Sequence, residues 1–226
     1  GLWTHTNVRK DKFDCFPQKK NDLYEYKKII NTNTQPCCAI ISVPDHLHFK
    51  LAKYCLEKKI HVLVVKPLAP TINECKKLIE IAKKNKVLNL VEFHKRFDKQ
   101  NIIIKNKLNI NEIGELLYTW TEYSQRKSIP MKIFKKWAHK SNILQYLGIH
   151  YIDLIFFLTE ARPIKVMAIG QKKYLYKKGI NTFDSIQCII QWKMKNGNLF
   201  TQTLLVNWID SEFSTSVSDQ KIYLVG

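Results

Sequence analysis

His61-Val62-Leu63-Val64-Val65-Lys66-Pro67-Leu68-Ala69-Pro70-Thr71 decides how this chain is read. Its first five residues form a valine-rich run of strand length that stops at a lysine and a proline. Thr71 is placed to cap a following helix, with Glu74 three residues on in capping-box spacing. A strand that runs straight into a helix belongs to an α/β sheet, and open sheets of that kind bind ligands at the carboxyl ends of their strands. Lys66 then stands at the mouth of the sheet, with Pro67 fixing the backbone behind it. Taken alone, the same lysine is equally a surface residue at a strand end.

The flanking sequence repeats the pattern. Cys38–Val43 is an apolar run of strand length, followed by Pro44-Asp45-His46-Leu47-His48. A helix is expected from about Leu47 to Lys58, with Leu47, Leu51, Tyr54 and Cys55 on one face. Strand 60–65, helix 72–84 and strand Val87–Phe93 complete a parallel βαβαβ unit with right-handed crossovers. Beyond Phe93 the pattern gives a helix over about 97–109 and a strand over Leu116–Ser124. A loop through Ser128 and Pro130 then leads into a helix over about 142–159. Strand-like segments at 164–174, 183–194 and 199–209 follow, the last two joined by Lys195-Asn196-Gly197-Asn198, a hairpin signal. The final strand is Lys221–Gly226. The expected fold is therefore α/β plus α+β: a partial Rossmann-type parallel sheet over residues 1–95, then a mostly antiparallel sheet domain faced by helices over 96–226.

Composition narrows the function classes. Hydrophobic residues make up 45% of the 226, an ordinary share for a globular chain of one large or two modest domains. No run approaches membrane-spanning length and no signal peptide is visible, which points to a cytoplasmic protein. The six cysteines (Cys15, Cys37, Cys38, Cys55, Cys75, Cys188) show no zinc or redox spacing and read as reduced thiols. The formal net charge of +18 raises nucleic acid or an anionic surface as a partner. Yet only four of the 37 basic residues are arginine, whose planar fork suits bases and phosphates. The lysines are scattered over expected solvent faces of helices, so attraction of anionic ligands such as nucleotides is favoured over nucleic-acid binding. Asp45, His46 and His48 with His61 do not make a metal site, because alternating positions on one short loop rarely close a tetrahedral shell.

Five landmarks run in order along the chain: Pro44 to His48, His61-Val62 with Val65-Lys66-Pro67, Phe93-His94-Lys95-Arg96-Phe97, Ile113-Gly114-Glu115 and Gly148-Ile149-His150-Tyr151-Ile152-Asp153. Together they span roughly residues 37–170. In kind and order they resemble the glucose-fructose oxidoreductase / inositol dehydrogenase (Gfo/Idh/MocA) family. The resemblance implies hydride transfer between NAD or NADP and a CH–OH group of a sugar or cyclitol, in a cleft between the two domains. It implies catalytic roles for three residues. Lys66 bonds the reacting oxygen, His150 takes the hydroxyl proton, and Tyr146, one turn before His150, orients substrate or imidazole. On the cofactor side it places Ser42, Pro44 and His48, with Lys66 and Pro67. On the substrate side, position and chemistry add five candidates. His94 and Arg96 stand at the carboxyl end of the third strand, where they either meet ligand or form a surface basic cluster. Arg126 and Trp137 offer a forked donor and an aromatic face suited to sugars, and Asp153, three residues beyond His150, is able to orient the imidazole. A homo-oligomer built on the large second sheet is also implied.

Two departures stand out. Val65 occupies the place of the family's acidic neighbour of the lysine, and Tyr146 that of an aspartate found in many members. In addition, none of the seven glycines lies between positions 2 and 113, so the Gly-rich turn that a pyrophosphate needs is absent there. The chain is expected to be a segment of a longer protein, lacking the first βα unit and the C-terminal end. The alternative is a non-catalytic sugar-binding or regulatory paralogue without dinucleotide binding. Coenzyme choice is expected to rest on residues near 1–15, where Thr6-Asn7-Val8-Arg9-Lys10 leans to NADP.

Overall fold

The computed structural model describes residues 24–32 and 37–226. Expectations placed on residues 1–15, the Thr6–Lys10 stretch and Cys15 included, lie outside the described residues. In chain order the elements are α1 (Glu25–Thr32), β1 (Cys38–Ile41), α2 (His48–Glu57), β2 (His61–Val65), α3 (Ile72–Asn85) and β3 (Asn89–Glu92). They continue with α4 (Lys99–Asn109), β4 (Tyr118–Arg126), α5 (Ile149–Thr159), β5 (Arg162–Gln171), α6 (Tyr174–Lys177), β6 (Ser185–Lys193), β7 (Leu199–Asp210) and β8 (Ser218–Val225).

The first sheet is parallel, in the order β1-β2-β3. Val62 and Val64 of β2 are buried with Ile41, Ala52, Leu56 and Leu78, so α2 and α3 cover one face through side chains two residues apart on the strand. The other face bears Ile40 and Leu90, both exposed; among the described residues β2 is covered on one face rather than two. Thr71 caps α3 as its spacing predicts: its hydroxyl accepts from the Glu74 amide, and the Glu74 carboxylate accepts from the Thr71 amide.

The second sheet has the order β5-β6-β7-β4-β8. It is antiparallel except where β4 lies parallel to β7. Alternate residues of β6 and β7, among them Trp192, Phe200, Leu204 and Trp208, face α5 and form the larger core with Leu154, Ile155 and Leu158. On β4 the inward set is Thr119, Thr121 and Tyr123, whereas Leu117, just before the strand, is exposed. The inward polar groups are paired: Gln202 donates to Thr121 Oγ1 (3.1 Å) and accepts from Trp192 Nε1 (3.2 Å). The hairpin at Asn196-Gly197 forms, with Gly197 at φ +95°, a conformation that favours glycine.

The helix expected over 142–159 is interrupted. Leu144–Gly148 is a π turn and the α-helix proper begins at Ile149. Wider i→i+5 turns of this kind re-aim backbone groups, and this one bears on the cleft. Among the described residues no helix is long and apolar enough to cross a membrane, and the five described cysteines are free.

Candidate active site

Because β1, β2 and β3 are parallel and in register, with Ile41 beside Val64 and Val65 beside Glu92, their carboxyl ends share one edge. The chain leaving those ends supplies Ser42, Pro44, Asp45, Lys66, Glu92 and His94. Opposite them stand Tyr123 and Gln125 of β4, Trp137 from the following loop, Tyr146 of the π turn and His150 of α5. Together these residues enclose a cleft of about 440 Å³, within the range of small-molecule sites.

Lys66 is only 6% exposed. Its ammonium donates to the backbone carbonyl of Tyr146 and sits 4.0 Å from the centroid of the Tyr146 ring. No carboxylate forms an ion pair with it among the described residues. Burial pulls its pKa down to about 8, against the opposing negative charges of Asp45 and Glu92.

His150 is 3% exposed, and its Nδ1 has no hydrogen-bond partner. Its ring lies edge-on to His94, centroids 4.6 Å apart, with Phe93 and Tyr123 further out. Burial, then the charges of Lys66, His94 and Lys95, hold its pKa down to about 2, so the imidazole is neutral. Tyr146 packs its ring among Phe134, Trp137 and Trp208. Burial pushes its hydroxyl up to about 12, so it keeps its proton.

The remaining expected site residues fall into two groups. Ser42, Pro44, His94 and Trp137 line the cleft. The other five, Pro67 included, are engaged elsewhere. Arg96 and Asp153 are paired with each other, so Asp153 does not orient His150. Arg126 donates to the carbonyls of Ser214 and Ser216 rather than toward the cleft. His48 is buried, with Nδ1 2.6 Å from the Pro67 carbonyl and Nε2 2.8 Å from that of Val43. That bridge ties the loop after β1 to the turn after Lys66, so His48 and Pro67 brace the first sheet's wall of the cleft from behind.

Sequence reasoning passed over Asp45, Glu92, Tyr123 and Gln125 as cleft residues. Asp45 and Glu92 each follow or end a parallel strand, a placement that marks them as readily as it marked Lys66. Among the described residues no three histidine, cysteine, aspartate or glutamate side chains are placed to hold a metal ion.

A parallel sheet whose strand ends meet a second, mixed sheet across a cleft bearing a buried lysine and a neutral histidine defines a two-sheet α/β plus α+β architecture with its site at the junction. The model of the oxidoreductase family with an NAD-binding Rossmann fold (GFO/IDH/MocA) matches residues 5–93, and that of the GFO/IDH/MocA C-terminal domain matches residues 103–213. This chain belongs to that family of NAD-binding oxidoreductases. An uncharacterized oxidoreductase of Schizosaccharomyces pombe is 28% identical over 120 residues, which cover 50% of this chain and 31% of that protein. The inositol 2-dehydrogenase of Salmonella typhimurium is 26% identical over 140 residues, covering 59% of this chain and 41% of that one. The chain thus spans less than half the length of these curated relatives. An inositol dehydrogenase homolog of Azotobacter vinelandii, solved with NADH and myo-inositol, shares the fold with a TM-score of 0.75 at 18% identity. That match covers 90% of this chain and 52% of the other.

Proposed function

We propose that this chain carries the reaction site of an NAD- or NADP-dependent dehydrogenase acting on a CH–OH group of a sugar or cyclitol. The observation that carries this reading is the pairing of Lys66 and neutral His150 in one cleft at the strand ends. The described residues fit the nicotinamide end of such a cofactor: Ser42 and Pro44 form a wall beside Lys66, and His150 offers an unpartnered buried nitrogen. They include no glycine-rich turn for a pyrophosphate. When bound, the nicotinamide supplies the hydride acceptor.

The protein's share is orientation and proton movement. Neutral His150 accepts the hydrogen bond of the substrate hydroxyl and points its oxygen at Lys66. With a pKa near the working range, Lys66 is the better matched of the two for exchanging the proton. As its amine takes the hydroxyl proton, the C–O bond becomes a carbonyl and the carbon releases hydride. In the reverse direction the ammonium returns the proton to the carbonyl oxygen. This division of labour inverts the one the family resemblance implied, where histidine takes the proton and lysine aligns the oxygen.

The test is Lys66→Ala in an active full-length form, assayed with NAD and NADP against myo-inositol and related polyols. Turnover is expected to fall by orders of magnitude; near-normal turnover would remove the lysine from the mechanism. The competing reading, a sugar-binding paralogue, draws on the lack of any glycine between positions 2 and 113. Polyol binding without reduction of either coenzyme would favour it. We further propose a division near residue 95 into a nucleotide-side domain and a substrate-side domain. A homo-oligomer through the second sheet is also proposed, supported by exposed Val166, Met167 and Ile169 on edge strand β5.

A further inference from the structure

Lys66 and Asp45 are two buried charges of opposite sign that line one cleft without touching. Asp45 is 4% exposed and begins the short turn Asp45–Leu47 directly after Pro44. The Ser141 hydroxyl donates to its Oδ2, and the Ser141 carbonyl accepts from Thr182 Oγ1 at 2.9 Å. A chain of hydrogen bonds from the second sheet's side of the cleft therefore fixes where this carboxylate sits. No other hydrogen bond to the carboxylate occurs among the described residues, although a carboxylate has room for several.

A buried carboxylate with one neutral partner and a buried ammonium with one neutral partner are each costly alone. Lining the same cleft with both side chains buried, the two opposite charges stabilise one another without direct contact. We propose that Asp45 is a positioning residue for Lys66: its buried carboxylate, tied to Ser141, supplies the fixed negative charge that Lys66 lacks in direct contact. The inference rests on the assignment of Lys66 to proton exchange. Its consequence is that Asp45 sets the pH range in which Lys66 holds the proton.

The other titratable and charged groups facing Lys66 do not substitute for it. Glu92 is partly exposed and pairs with His94 at 3.2 Å. His94 and Lys95 are basic, His150 is neutral, and Tyr123 and Tyr146 have hydroxyls raised by burial. The field of Asp45 also reaches Tyr146 and His46, as expected of a charge fixed within the wall.

The experiment is a titration of Lys66 in the full-length protein by carbon-13 NMR of labelled lysine, assigned with Lys66→Arg. Asp45→Asn is expected to lower the Lys66 midpoint by roughly one unit. Ser141→Ala, which removes the bond and leaves the charge, is expected to move it far less. An unchanged midpoint in Asp45→Asn, or equal shifts in the two variants, would overturn the proposal. So would a larger shift in Glu92→Gln. Should Asp45→Asn not fold, Asp45→Ser keeps a hydroxyl for Ser141 and carries the same expectation. In the pH profile of kcat/KM, the limb belonging to Lys66 is expected to move acidward in Asp45→Asn by the same amount. A shifted NMR midpoint in a protein that turns over no polyol would leave this inference standing and remove the catalytic reading instead.

Discussion

Arg96 forks onto Asp153, with Nε 2.7 Å from one carboxylate oxygen and an outer guanidinium nitrogen bonded to the other. The pair joins the 94–97 turn to α5, three residues beyond His150. It holds the turn that bears His94 against the helix that bears His150. Asp153 side-chain exposure is 10% against 32% for Arg96, so the aspartate is the more costly to strand.

Arg96→Lys is expected to lose the planar two-point contact and cost about 1–3 kcal/mol of stability, read from urea unfolding midpoints. A change within experimental error would show that packing alone holds the turn on α5.

His150 gives stability a sign with pH. Its folded pKa, about 2, lies below the ordinary value of 6.5, so the unfolded chain binds the extra proton between those limits. Stability attributable to this residue is complete above about 6.5 and falls as pH drops below it, by up to about 1.4 kcal/mol per pH unit. Replacing it, as in His150→Gln, should flatten that slope in urea unfolding between pH 4 and 7. Equal slopes would mean that the imidazole gains a proton without penalty.

Lys66 acts in the alkaline range. With a folded pKa of about 8 against 10.5 unfolded, its buried charge costs stability below pH 8, and the cost fades as pH climbs toward 10.5. Relative to Lys66→Met, the wild-type protein should gain stability across that window. Thermal melts of the two from pH 7 to 10.5 measure the difference, and parallel curves would contradict the lowered pKa.

Tyr146 holds Lys66 with its carbonyl and ring face, not with its hydroxyl. Tyr146→Phe is expected to keep turnover within a few-fold. Tyr146→Ala, which removes the ring from among Phe134, Trp137 and Trp208, should cost about 3–5 kcal/mol in stability. A phenylalanine variant as impaired as the alanine one would restore a role for the hydroxyl.

Local signals in the sequence determined much of this protein. The cap at Thr71 with Glu74, the order of strands around Lys66 and the Asn196-Gly197 hairpin each depend on neighbours a few residues apart. Because parallel strands align their carboxyl ends, the same local reading placed Ser42, Lys66 and His94 on one edge. Tertiary structure alone decided the rest. The sequence pattern ran a helix through Leu144–Gly148, whereas packing against Lys66 and the aromatic residues accompanies a π turn there. It left β4 unplaced, and only the assembled sheet sets it parallel to β7. Spacing alone leaves Asp153 free to orient His150, whereas Arg96, 57 positions away, holds it in the folded chain. Asp45 and Ser141 meet across 96 positions. Periodicity and caps are short-range and written in adjacent residues. Burial, charge fields and proton affinities are sums over groups brought together only by folding.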